Sequence, residues 1–348
     1  MTEWRYLAAF QAHFARCGLH AGEVVAVLSE TQSRPVLVET ARLAAQWSGA
    51  RVFDVVVPTP HSVHPVPVRS TGASQALANN RAVIAGLAAA DLVLDCTVEG
   101  LLHAPELGQI LGGGARVLMI SNEHPDTFDR LTWDDDLPRR VALGHAWLRA
   151  ATVMRATSPH GTDLTVQLAG AFTAGSTGLT AGPGSIAHWP GGLVLAFPAA
   201  GTVSGTVVLA PGDINLTFNR YMESAVRLTI VDDHIESIDG DGLDAELFRS
   251  YLAAFGDRAS YATSHVGWGM NPAARWDYLE LYDKREIWGT EARAFAGNFL
   301  YSTGANENAG RFTAGHFDLP TRGHTVLLDN RPVVVDGALV PELAVARA

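Results

Sequence analysis

Basic residues are scarce in this 348-residue chain: 25 Lys and Arg stand against 36 Asp and Glu, a formal net charge of −11. No run of Lys or Arg exceeds two residues. Neutralising a phosphate backbone takes clustered cations, so no nucleic-acid partner is expected. Long apolar runs are missing too, and no stretch reaches the roughly 20 residues that cross a bilayer. The opening Met1-Thr-Glu-Trp-Arg-Tyr6 has an acid and an aromatic where a secretory signal needs a basic stretch. Cysteine occurs only at Cys17 and Cys96, too few for a disulfide framework or a four-thiolate zinc site. A soluble, cytoplasmic protein with no membrane partner is expected.

The glycine signatures of nucleotide and acyl chemistry are also absent. After the first expected strand the chain reads Ser29-Glu-Thr-Gln-Ser33, with no glycine to let backbone approach a pyrophosphate. Gly112-Gly-Gly114 precedes its strand, so it forms no strand-to-helix phosphate loop. Gly184-Ser185-Ile-Ala lacks the closing glycine of a nucleophile elbow. Cys17 falls in an expected helix and Cys96 at a buried strand end, places where cysteine acts as a small hydrophobe. His61 and His64 have ligand-like spacing, but Pro65 and Pro67 mark that stretch as loop.

What is present is a core: 47 % of residues are hydrophobic and only 18 % charged. At about 100–200 residues per domain, the length suggests two domains. Up to residue 155, unbroken apolar strands alternate with helices. The strands are Val24–Leu28, Arg51–Val57, Asp91–Asp95 and Arg116–Ile120, and the helices Glu3–Cys17, Pro35–Ser48 and Ser74–Ala89. That pattern implies a doubly wound, mostly parallel α/β sheet, Rossmann-like but without a nucleotide fingerprint. From 156 to 348 the texture becomes short alternating strands separated by Gly and Pro turns. Hairpin tips fall at Asp232-Asp233 and Asp329-Asn330, and one helix at Leu243–Phe255. This half reads as an α+β, mostly antiparallel, metal-binding catalytic domain. Its glycine content and the apolar composition suit a homo-oligomer.

The chemistry concentrates near the C-terminus. His316-Phe-Asp318 lies on an extended segment, where residues two apart share a face. His265 sits in Ser264-His-Val-Gly-Trp-Gly-Met-Asn-Pro272, read as a turn-rich stretch suited to lining a site. Two imidazoles and a carboxylate form the facial triad that holds non-haem Fe(II) with positions left open. The same three ligands suit a catalytic zinc.

His265-Val-Gly-Trp-Gly-Met-Asn-Pro272, the Gly191-Gly192 turn after Trp189-Pro190, and His316-Phe-Asp318 before a terminal hairpin resemble the 2,5-dihydroxypyridine 5,6-dioxygenases. These are Fe(II) enzymes of bacterial nicotinate and nicotine degradation, related in fold to the M29-type aminopeptidases. The resemblance implies Fe(II) held by His265, His316 and Asp318, with His103 and His188 as catalytic histidines. It implies 2,5-dihydroxypyridine and O2 as substrates and N-formylmaleamate as product. Trp189, Trp268 and Phe317 are expected as apolar walls for a flat ring. Glu291 and Asn306-Glu-Asn308 are expected to shape the pocket. The two-metal peptidases carry a bridging carboxylate after a Pro-Gly-Gly turn, and here that position is Leu193, which cannot ligate. The alternatives are a metallohydrolase of the same fold, with Glu223 or Glu236 replacing the bridge, and a non-catalytic binding protein without stoichiometric metal.

Overall fold

Strands that are apolar at every position need cover on both faces, and the alternation of side chains shows how they get it. In a computed structural model that describes residues 2–61 and 74–345, Val25, Val27, Leu92 and Leu94 pack against Phe10, Phe14, Leu37 and Ala41 of two helices. Ala26, Leu28, Val93 and Val117 face the other way, against Ile84, Leu87 and Ile110. The sheet between these layers runs Arg51–Val57, Val24–Glu30, Leu92–Asp95, Arg116–Met119, Ile186–His188, with every pairing parallel. Its strand order reverses between Val24–Glu30 and Leu92–Asp95, which opens a crevice at the carboxyl ends of the strands. The helix expected from Ser74 starts later, at Arg81, because the Asn80 side chain accepts a hydrogen bond from the Val83 amide and caps it.

Beyond Val153 the strands are antiparallel except for Ile186–His188. Eight form one sheet, from His234–Asp239 at one edge to Ala338–Leu339 at the other. Five form a second sheet, in the order Arg311–Thr321, Phe299–Asn306, Thr263–Gly269, Leu193–Phe197, Phe172–Ser176. The main core fills the space between them, with Met154, Leu164 and Val207 meeting Val266, Phe299 and Phe317. Both expected hairpin tips are present, and Asp232, Asp233 and Asp329 take the positive φ that such turns require. His265 stands in the strand Thr263–Gly269 rather than in a turn. Its glycines serve close packing: a Cβ on Gly267 would lie 2.0 Å from the Val194 carbonyl oxygen. Among the described residues no helix is long and apolar enough to cross a membrane.

The two halves are joined through a short segment. Ile186–His188 completes the parallel sheet, and Leu193–Phe197 then enters the five-stranded antiparallel sheet. Gly191 and Gly192 make the turn between them, because a Cβ would meet Thr177 backbone at 2.2 Å and Asn271 at 2.8 Å. The carboxyl edge of one sheet is thereby set against the open face of the other.

Gly304 pairs with His316 across the five-stranded sheet. It has φ +104°, and a Cβ there would lie 1.9 Å from the Gly315 carbonyl oxygen. Gly304→Ala should cost about 3 kcal/mol or more of stability, read as a lower urea midpoint. An unchanged midpoint would mean that the two strands can part without penalty.

Candidate metal centre

Strand alternation builds this site from one sheet face. On Arg311–Thr321, Phe317 and Leu319 enter the core, so His316 and Asp318 point to the opposite side. Ser302 lies opposite Asp318 in register. On the next strand but one, Val266 and Trp268 enter the same core, which turns His265 toward the same open face. His316 Nε2 lies 3.1 Å, and His265 Nε2 3.8 Å, from Asp318 Oδ1. One ligand atom from each of the three residues can be chosen so that all lie within 4.8 Å of one another, and all three residues are buried. This is a donor set for one divalent ion.

Electrostatics hold the three groups in ligating form. The Asp318 carboxylate accepts hydrogen bonds from Arg293 Nε at 2.5 Å and from Ser302 Oγ. Burial opposes its ionisation, but Arg293 and the neighbouring imidazoles keep it well below the usual carboxylate range. Burial pushes His265 down to about 3 and also lowers His316. Near neutrality the site therefore presents one carboxylate and two neutral imidazoles, the protonation state that a metal requires. The Nδ1 atoms of both histidines are buried and lack a hydrogen-bond partner among the described residues.

The triad opens into a cavity of about 490 Å³, whose wall includes Leu193, Leu195, Phe197 and Leu300 of the five-stranded sheet and Met119 and Trp288. His103 and His188 also line it. His103 comes from the loop after Leu92–Asp95, whose shape the buried Asp95 dictates. That carboxylate accepts from the Thr97 amide at 3.0 Å, the Thr97 hydroxyl at 2.6 Å and the Leu101 amide at 2.7 Å. The His103 ring centroid is 5.2 Å from that of His316 and 6.5 Å from that of His265. His188 ends the last parallel strand instead of lying in a loop. Burial, then the charge of Arg293, pushes it down to about 3.

The structure thus brings together His265, His316, Asp318, His103 and His188, and places the other four expected residues elsewhere. Trp268 and Phe317 belong to the core behind the sheet, each an odd number of positions from a cavity-facing histidine on its own strand. Trp189 stacks on Phe128 at 3.7 Å. Glu291 is buried in an ion pair, taking Arg130 Nη1 at 2.9 Å and the Arg275 amide at 2.8 Å. None of these four lines the cavity. Of the pocket-shaping stretch, Glu307 reaches His103. The sequence reading did not pick out Arg293, Ser302 or Trp288. Ser302 was detectable only through its register with Asp318, and Arg293 carried no signal of its own. Glu223 and Glu236 are exposed partners of Arg220 and Arg258 and also lie off the cavity. Of the His61 and His64 pair, His64 lies outside the described residues.

A profile of the 2,5-dihydroxypyridine 5,6-dioxygenase family matches residues 5–341. The chain belongs to that family. It is 37 % identical, over 93 % of each chain, to the 2,5-dihydroxypyridine 5,6-dioxygenase of Pseudomonas putida KT2440. A solved structure of 2,5-dihydroxypyridine dioxygenase from the same organism superposes with a TM-score of 0.89, at 33 % identity and 97 % coverage of both chains. AmpT from Thermus thermophilus shares the fold, with a TM-score of 0.59 at 15 % identity, covering 97 % of this chain and 99 % of its own. Leu193 lines the cavity. Among the described residues, His265, His316 and Asp318 are the group that could hold a metal.

His265→Ala, His316→Ala and Asp318→Ala should each lose stoichiometric metal, measured by elemental analysis after loading. A variant that stays fully loaded is not a ligand. A separate expectation concerns acid. His13 and His324 are buried away from the cavity, and burial holds each at about 4, against 6.5 for a free imidazole. Unfolded chains take up these protons and the folded state refuses them, so stability is complete above pH ~6.5 and falls below it. Together the two should cost about 3 kcal/mol per pH unit down to pH ~4. A urea midpoint that stayed flat from pH 7 to 5 would contradict this.

Proposed function

We propose that this chain is an Fe(II)-dependent 2,5-dihydroxypyridine 5,6-dioxygenase. It would break the C5–C6 bond and place both atoms of O2 in N-formylmaleamate, within the catabolism of nicotinate-type pyridines. The observation that carries this reading is the buried His265, His316 and Asp318 group at the wall of an apolar cavity, in a chain 37 % identical to the Pseudomonas putida enzyme. The donor set fits iron: two imidazoles, one carboxylate, and open space on the cavity side. Bound there, Fe(II) would supply a Lewis-acidic, redox-active centre at which the ring oxygen and O2 are brought together.

The protein's own groups would do the rest. Phe197, Leu193 and Leu300 offer an apolar wall for a flat ring and keep bulk water off it. Asp318 is fixed by Arg293 and Ser302, so the third ligand does not swing. His103 carries a buried Nε2 without a partner among the described residues, which suits it to accept the proton of the ring hydroxyl. Leu193 favours this chemistry over hydrolysis, because a second ion would lose its bridging ligand. Cys17 and Cys96 are free and buried, in keeping with a reducing cytoplasm.

The test is an oxygen-electrode assay of anaerobically purified, Fe(II)-loaded protein with 2,5-dihydroxypyridine. One O2 consumed per ring, with loss of the aromatic absorbance, is expected. No uptake, together with activity of the zinc or manganese form on peptides or amides, would move the chain to the hydrolases.

A further inference from the structure

His103 and Glu307 stand 204 positions apart, one on the crevice of the parallel sheet and one at the end of the strand Phe299–Asn306. Both carboxylate oxygens of Glu307 reach His103 Nδ1, at 3.1 and 3.4 Å. An ionised carboxylate only accepts, so Nδ1 carries a hydrogen, and in the neutral ring the lone pair then sits on Nε2. That Nε2 is the buried atom with no partner among the described residues. His188 has no such arrangement: its Nδ1 lacks a partner among the described residues, and no carboxylate is hydrogen-bonded to the ring.

The backbone beneath Glu307 is fixed from inside the protein. Asn306 is fully buried. It donates from Nδ2 to the carbonyls of Pro198 at 2.9 Å and Ser264 at 3.0 Å. Its Oδ1 accepts from the Ala309 amide at 3.1 Å. Gly310 then closes the turn at φ +70°. The Ser264 carbonyl belongs to the residue before His265, so the turn is tied to the ligand strand. The Glu307 side chain is 40 % exposed; its remaining burial opposes ionisation, and the hydrogen bond from His103 lowers the carboxyl below its usual range.

We propose that Glu307 is a positioning residue for the proton transfer of ring opening, holding His103 in its Nδ1–H tautomer with Nε2 aimed at the substrate hydroxyl. This rests on the dioxygenase reading above. In the step, the hydroxyl O–H bond breaks and its electron pair stays on the oxygen. The proton goes to His103 Nε2, while Nδ1–H stays hydrogen-bonded to the side chain at position 307.

The full-length, Fe(II)-loaded chain is compared with Glu307→Ala and Glu307→Gln. Glu307→Ala should lower kcat about 10- to 100-fold, with KM for 2,5-dihydroxypyridine within about twofold and metal content unchanged. Glu307→Gln keeps an acceptor oxygen and should recover most of the rate. Anaerobic difference spectra should show bound substrate as its monoanion in the parent and Glu307→Gln proteins, and as the neutral form in Glu307→Ala. The proposal is overturned if Glu307→Ala turns over at the parent rate and loses only melting temperature, which would make the contact a latch between the halves. It is equally overturned if Glu307→Gln is as slow as Glu307→Ala, or if Glu307→Ala loses its metal. A parent protein that consumes no O2 with 2,5-dihydroxypyridine defeats the dioxygenase reading itself, a result separable from all of these.

Discussion

A carboxylate removed from water costs several kcal/mol unless a counter-charge and donors replace its hydration, and Asp318 is buried to 4 % exposure. The rest of the site is arranged around that requirement. Arg293 supplies the counter-charge, and Arg293 is itself buried and has to be held. Its guanidinium lies 4.4 Å over the Trp288 ring and donates to the Trp288 carbonyl at 3.3 Å. Trp288 in turn donates from Nε1 to Val98 at 2.8 Å and from its amide to Glu123 at 3.2 Å. A ligand on the antiparallel sheet is thus anchored, two residues on, to loops of the parallel sheet. The site is a property of both halves.

The charge balance has a chemical consequence. Asp318 and Arg293 cancel, burial keeps His265, His316 and His188 neutral, and burial beside Glu30 holds Glu99 at the cavity wall well above the usual carboxylate range. No ionised acid of the ligand shell remains to offset a divalent ion. The apolar walls contribute little screening, so the field of a divalent ion bound there would act on whatever enters. An ionised ring hydroxyl would be favoured over a neutral one. An incoming ammonium group, such as the amino terminus of a peptide, would be disfavoured. The same arrangement that makes Asp318 tolerable thus argues for an oxygen-bearing aromatic ring.

The fold was legible in the sequence where one rule sufficed. Apolar strands between helices could only be parallel and covered on both faces, and the structure has that sheet. His316 and Asp318, two apart on an extended segment, had to share a face, and they do. The aromatics failed on the same rule read incompletely. Phe317 lies between two cavity-facing residues and so had to enter the core, and Trp268, three from His265, has the wrong parity. Glycines obscured Thr263–Gly269, because they serve close packing, Gly267 against Val194 and Gly269 against Ala294 and Phe295, and not turning. Arg293 and Ser302 were hard to see for a different reason. Each acts through a partner brought near by folding, and pairing register or a contact between loops leaves no local pattern.

Residues 186–197 carry the chain from one sheet to the other and deliver position 193 to the cavity. In that span the chain finishes the parallel sheet at His188, turns on two glycines that have no room for a side chain, and starts a strand of the five-stranded sheet at Leu193. The turn brings position 193 to the cavity beside the triad whatever its side chain, since backbone contacts alone dictate its course. An acid there would add a ligand and a negative charge. Leucine adds apolar wall and would leave the charge of an ion bound by the triad without that offset.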